Sequence, residues 1–116
     1  MLLFFLIALG EHIAMTEYTI VLSEQASKDM TDIYEYIKNT YNAPQTAIRQ
    51  FNRIATAINT LSTFPERIKL MNNPYGNSKK ICQLLIDNYS IIFTIQLQKV
   101  FVVRVLYSSS NIDSKL

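Results

Sequence analysis

The chain has 116 residues, 49% of them hydrophobic and only 17% charged, which fits one domain with a single modest core and excludes a disordered polyelectrolyte. Its formal charge of +2 is too mild to indicate nucleic acid without a clustered basic stripe, and only Arg67/Lys69 and Lys79/Lys80 approach one. The single cysteine, Cys82, excludes an internal disulfide and offers no metal-ligand spacing, so it reads as a small core residue in a reducing cytoplasm, with neither metal nor cofactor expected.

The first fourteen residues stand apart. MLLFFLIAL is apolar but falls short of the roughly 20 residues a bilayer span needs. It also lacks the basic start and small-residue cleavage pattern of a signal peptide. Residues 1–14 therefore read as a mis-assigned or disordered extension, with translation beginning at Met15 and one domain over 15–116. The GGN-GAR codons of Gly10-Glu11 can hold a ribosome-binding sequence just upstream of Met15. An intact Met1 terminus in the mass spectrum of the native protein would sink this reading. The only histidine, His12, lies in the extension, so the domain proper lacks the usual general base.

Tyr18 to Leu22 alternates β-favouring residues and predicts a first strand. Ser23 is a plausible N-cap, followed by Glu24 in the first turn, where a negative charge suits the helix dipole. Ala26, Met30, Ile33 and Ile37 recur at helical spacing to about Tyr41. Pro44 can open the next helix because it needs no N–H there, and Ala47, Phe51, Ile54, Ile58 and Leu61 carry it toward Phe64-Pro65. So short a link implies an antiparallel helical hairpin.

After Pro65 the period changes. Ile68 to Met71 is a candidate short strand, and the Asn/Pro/Gly-rich run to Asn77 is turn chemistry. Lys79 to Ile86, Tyr89 to Leu97 and Lys99 to Tyr107 predict three strands joined by tight turns. In the middle one, Tyr89, Ile91, Phe93, Ile95 and Leu97 share a face that should meet the helices. The expected fold is α+β: an N-terminal strand and an antiparallel helical hairpin packed on a three- to five-stranded antiparallel sheet.

Several patterns carry a family resemblance. They are Ala26-x-x-Asp29-Met30-x-x-Ile33-x-x-Tyr36-Ile37, Leu61-x-x-Phe64-Pro65, Ile86-Asp-Asn-Tyr89-x-Ile-Ile-Phe93 and Val103-Arg104-Val-Leu-Tyr107-x-x-x-Asn111-Ile112. In this order and spacing the chain resembles the RelE/ParE toxins of type II toxin–antitoxin systems from Met15 onward. The resemblance implies a growth-inhibiting protein neutralised by a cognate antitoxin and acting on DNA gyrase (ParE-like) or on ribosome-bound mRNA (RelE-like). Operator DNA would be reached only through the antitoxin, and no membrane is involved.

RelE-like members cleave without metal, so cationic side chains must offset charge building on phosphate oxygens. Such members commonly carry arginine just after the residue matching Tyr89, a base about six residues before it, and a glycine or serine followed by two arginines at the end of the last strand. Here those positions hold Ser90, Gln83 and the run Ser108-Ser109-Ser110. A hydroxyl supplies no charge, and the reading that follows is a ParE-like toxin that binds its target. The alternatives are an RNase of low activity or a degenerate toxin that only binds antitoxin.

The remaining catalytic candidates are weak. Tyr107 occupies the family's Tyr/His position, but a phenol with an ordinary pKa of about 10 is a poor base. Strict alternation places Arg104 with Val100, Val102 and Leu106, opposite Phe101, Val103, Val105 and Tyr107, on the open face. A salt bridge, an antitoxin contact or a phosphate contact would each suit it. Lys80 completes the catalytic candidates. Lys79, Lys80, Arg67, Lys69 and Arg104 are the candidate target- or nucleic-acid-binding residues, with solubilising charge as the plainer role for the lysines. Arg49 and Arg53 lie on the polar side of the second helix, where solvated charge is the default.

Overall fold

The computed structural model describes residues 17–68 and 80–108. The expected Met15 start, the rest of the candidate strand beyond Ile68, Lys69, Lys79, and Ser109 onward lie outside them. Strand β1 (Thr19–Leu22) leads through Ser23 into helix α1 (Glu24–Thr40), and Pro44 opens helix α2 (Pro44–Asn59). Two 3₁₀ turns follow, Thr60–Ser62 where the sequence suggested that the helix continued, and Pro65–Arg67 beyond its expected end. Strands β2 (Cys82–Ile86), β3 (Tyr89–Gln96) and β4 (Lys99–Tyr107) then form an antiparallel meander.

The sheet order is β1-β4-β3-β2, and β1 joins β4 in parallel, pairing Thr19 with Lys99 and Leu22 with Val102. The sheet is therefore mixed, with an antiparallel meander of three strands and one parallel edge strand. β2 begins three residues later than the sequence pattern suggested, because Lys80 takes a left-handed conformation (φ 55°) that interrupts an extended run.

One face of the sheet meets the hairpin. Ala26 and Met30 of α1 and Ile54 and Ile58 of α2 pack with Ile91, Phe93, Val100, Val102 and Val105, all buried, and Cys82 sits among them as expected. Burial raises the Cys82 thiol pKa, which keeps it an inert thiol. Tyr34 and Phe51 make an edge-to-face contact between the helices, with centroids 6.5 Å apart.

Strict alternation fails in β4. The register shifts between Ile92 and Phe93, which oppose Arg104 and Val102, so Val103 is the extra residue of a bulge. Val100 and Val102 face the core before it and Val105 after it, so Val100 and Val102 belong to the helix-facing side that strict alternation denied them, while Val105 and Tyr107 keep the side opposite Arg104 that it gave them.

Both tight hairpin turns use a non-glycine residue at positive φ. At the β2–β3 turn Asp87 (φ 57°) is held to α2 by Arg53 at 2.7 and 3.0 Å and by Gln50 at 3.0 Å. Arg53 is thus a structural tie and not idle surface charge. At the β3–β4 turn Leu97 (φ 57°) is 92% exposed and packs against little. Leu97→Gly should therefore stabilise the chain by about 0.5–1 kcal/mol, because left-handed backbone is costly for a residue with a Cβ and free for glycine. A urea melt showing no gain, or a loss, would refute this.

Candidate functional site

Two positions at which the RNase-type resemblance would place cations, Gln83 and Ser90, come together in space with Ser108, the residue ahead of the Ser109-Ser110 pair that lies outside the described residues. Gln83 of β2 donates from Nε2 to the Ser90 hydroxyl of β3 at 2.8 Å, and the Ser90 and Ser108 hydroxyl oxygens lie 3.3 Å apart. The pairing explains the placement, because Gln83 stands opposite Ile92 and Ser90 opposite Leu106 on the sheet face away from the helices. Ser108 follows the strand end, where its N–H bonds to the Asn88 carbonyl at 2.7 Å. Ser90 is fully buried. The cluster is uncharged, and its hydroxyls and amide satisfy one another.

Arg104 lies on that same face by register, opposite Ile92, but its guanidinium engages α1. Nε donates to Asp29 Oδ2 at 2.8 Å and Nη2 to Oδ1 at 3.0 Å, a bidentate pair. Asp29 Oδ2 also accepts the backbone N–H of Val105 at 2.9 Å, and Oδ1 accepts the Gln25 amide at 3.3 Å. β1 pairs with β4 only as far as Val102, and beyond that point the carboxylate takes the place of a strand at the β4 edge. Ser23 does the same one step earlier. Its N–H bonds to the Val102 carbonyl, and its hydroxyl donates to the bulged Val103 carbonyl at 2.9 Å while capping Ala26 N–H at 2.9 Å.

Burial pushes the Asp29 carboxyl toward higher pKa. The hydrogen bonds from Arg104, Val105 and Gln25, with the guanidinium's charge, outweigh burial and hold the carboxyl below the usual range. The Arg104 pKa is raised, chiefly by the hydrogen bond to Asp29. A charge on the buried stripe of α1, three residues after Ala26 and next to Met30, was the sequence signal for this pair. It points to a buried partner without saying which.

The other candidates are dispersed. Tyr107 is half-exposed on the helix-facing side, opposite Tyr89, with ring centroids 5.7 Å apart. Arg104 and Tyr107 thus start from opposite faces of β4 and are not brought together at one point. Arg67 donates from Nη1 to the carbonyls of Thr60 (3.4 Å), Thr63 (2.8 Å) and Phe64 (3.0 Å), and from Nη2 to the Thr60 hydroxyl (3.2 Å). It gathers the carbonyls left over where α2 ends and Phe64 turns left-handed (φ 50°). Lys80 is exposed ahead of β2. Among the described residues no group of His, Cys, Asp and Glu could hold a metal ion, and no helix is long and apolar enough to cross a membrane.

The family model for the ParE toxin of the parDE type II toxin–antitoxin system matches residues 20–112. The chain belongs to the ParE toxin family. It is thus a toxin of a type II toxin–antitoxin system, as the RelE/ParE resemblance implied. Among solved structures, a chain of the chromosomal ParDE system from P. aeruginosa superposes with a TM-score of 0.67 at 14% identity, covering 79% of this chain and 97% of that one. A chain of the RelBE2 toxin–antitoxin complex from Mycobacterium tuberculosis gives 0.57 at 17% identity, covering 85% and 100%. At these identities the likeness shows the shared fold of hairpin on open sheet. No curated protein matches the sequence significantly.

Proposed function

We propose that this ParE-family toxin arrests growth by binding an essential target, DNA gyrase in the first place, and that a cognate antitoxin neutralises it. The observation that carries this reading is the neutral Gln83–Ser90–Ser108 cluster. Metal-free RNA cleavage needs preorganised cations at the phosphate, and two of the positions that the resemblance assigns to them, Gln83 and Ser90, hold mutually bonded amide and hydroxyl groups. The two arginines that could substitute are engaged elsewhere, Arg104 on Asp29 and Arg67 on backbone carbonyls. Tyr107 starts from the other face of β4. Both structural neighbours come from toxin–antitoxin systems, which supports a protein antitoxin as partner, with operator DNA contacted only through it.

The test is induced expression in a bacterial host, with and without the adjacent gene, following growth, mRNA integrity and plasmid supercoiling. Arrest with intact mRNA, altered supercoiling and relief by the adjacent gene is the expected result. Codon-phased mRNA cuts would establish the low-activity RNase instead and overturn the argument from neutral side chains. Soluble, folded protein without arrest would mark a degenerate toxin that only binds antitoxin.

A further inference from the structure

A second feature lies on the opposite side of the sheet from the neutral cluster. The C-terminal half of α1 and the Tyr89–Tyr107 end of the sheet enclose a cleft of about 490 Å³. Ile33 and Ile37 line its apolar part, and Tyr36, Tyr41, Tyr89 and Tyr107 contribute four phenol rings. The rings are arranged as two edge-to-face pairs. Tyr36 and Tyr41 have centroids 6.0 Å apart with planes at 87°, and Tyr89 and Tyr107 lie 5.7 Å apart at 67°. Near-perpendicular rings form corners in which π-faces meet. Among the described residues Asp32 is the cleft's one charged lining residue, and no described lysine or arginine lines it, although the chain as a whole is net positive.

We propose that this cleft binds the guanidinium group of an arginine carried by a partner polypeptide. Ring faces attract a cation through their quadrupoles, and arginine is the cation best suited to stack on them, being planar and weakly hydrated. The Tyr41 and Tyr89 phenols are held in the protonated form at neutral pH. A hydrogen bond with Tyr36 raises the Tyr41 pKa, and burial followed by the neighbouring phenols raises that of Tyr89. Asp32 supplies the counter-charge. Its present partner is Lys28 at 2.7 Å, in an exposed i,i+4 pair with side chains 57% and 65% accessible. Exposed pairs of this kind are weak and exchange readily, so an entering guanidinium can share the carboxylate. The volume exceeds that of one side chain and admits the backbone that carries it.

The test uses the full-length protein with ring-labelled tyrosine and three peptide probes: acetyl-Gly-Arg-Gly-amide, its citrulline isostere and its leucine counterpart. The arginine peptide should shift the ring signals of all four cleft tyrosines with a Kd in the roughly millimolar range, and the citrulline peptide should bind about ten-fold more weakly. Tyr36→Leu and Tyr107→Leu, both at half-exposed positions that fold tolerates, should weaken the arginine peptide several-fold, whereas Tyr107→Phe keeps the ring and should preserve it. Asp32→Asn should weaken it too. Equal binding of the citrulline or leucine peptide would reduce the cleft to an apolar groove and overturn the proposal, as would unshifted rings at about 20 mM arginine peptide.

Discussion

Replacing Asp29 by alanine is expected to destabilise the folded chain by about 3 kcal/mol, because it takes a bidentate carboxylate away from a largely buried guanidinium and leaves the Val105 N–H without its acceptor. Asp29 is 7% exposed and the Arg104 side chain 19%, so water cannot readily take over either role. The readout is urea denaturation, with the midpoint lowered and the slope unchanged. Pairing the substitution with Arg104→Met should recover most of the loss, since an apolar replacement of a buried ion pair is often neutral. The strand-edge N–H would still lack its acceptor, so a residue of about 1 kcal/mol should persist. A double variant as unstable as Asp29→Ala alone would show that the Asp29–Val105 bond dominates and the ion pair matters little.

The same carboxylate sets a pH dependence. Its folded pKa lies below the ordinary value of about 3.9, so its contribution is fully present above that value and fades as pH falls through the depressed folded pKa. Stability should therefore drop in acid below about pH 4. Asp29→Asn should flatten most of that slope while lowering stability at neutral pH. Asp87, also held below its usual range by hydrogen bonds from Arg53 and Gln50, titrates in the same direction. It is more exposed and should account for the smaller part of the slope.

What the sequence made legible follows from local physics. The helices are set by four apolar positions at helical spacing in α1 and four in α2, with Leu61 in the 3₁₀ turn that follows, and by an N-cap and a proline that act within one turn. The meander is set by β-favouring runs and two-residue turns. The parallel pairing of β1 with β4 depends on how the whole hairpin folds back, which no local window contains. The bulge at Val103 was hidden for a related reason. Val100 to Tyr107 is almost uniformly apolar, so alternation gives no sign of where the phase flips. Only the partners, Ile92 on β3 and the Ser23 hydroxyl on the bulged carbonyl, mark the place. Arg104 could be expected in a salt bridge, yet its partner stands 75 residues earlier. Gln83 and Ser90 were recognisable one by one as neutral substitutes, and Ser108 as the residue ahead of two more. That they satisfy one another appears only once β2, β3 and the end of β4 are side by side. The tyrosine cleft is not legible in the sequence, because Tyr36 and Tyr41 stand at the end of the first helical segment and nothing local ties them to Tyr89 and Tyr107.

Ser90→Arg is the change that most directly challenges the binding-only reading, since it restores the cation that the family resemblance associates with cleavage. We expect it to cost about 3 kcal/mol or more and to confer no RNase activity. Ser90 is fully buried, with its hydroxyl between Gln83 and Ser108, so a guanidinium there would be desolvated with no carboxylate within the cluster. It would also displace two neutral groups that have no charge to offer a phosphate. Ser90→Ala, by contrast, should cost about 1 kcal/mol, the loss of a neutral hydrogen bond, and leave growth arrest unchanged, because a target-binding toxin has no use for that hydroxyl. Thermal melts and an mRNA-integrity assay on both variants separate the outcomes. A stable Ser90→Arg protein that cuts mRNA would mean that the strand position is open enough to host catalysis and that a single residue separates binder from nuclease. A destabilised variant without cuts would mean that packing as well as loss of charge stands against cleavage, so that recovering it requires coordinated changes beyond position 90.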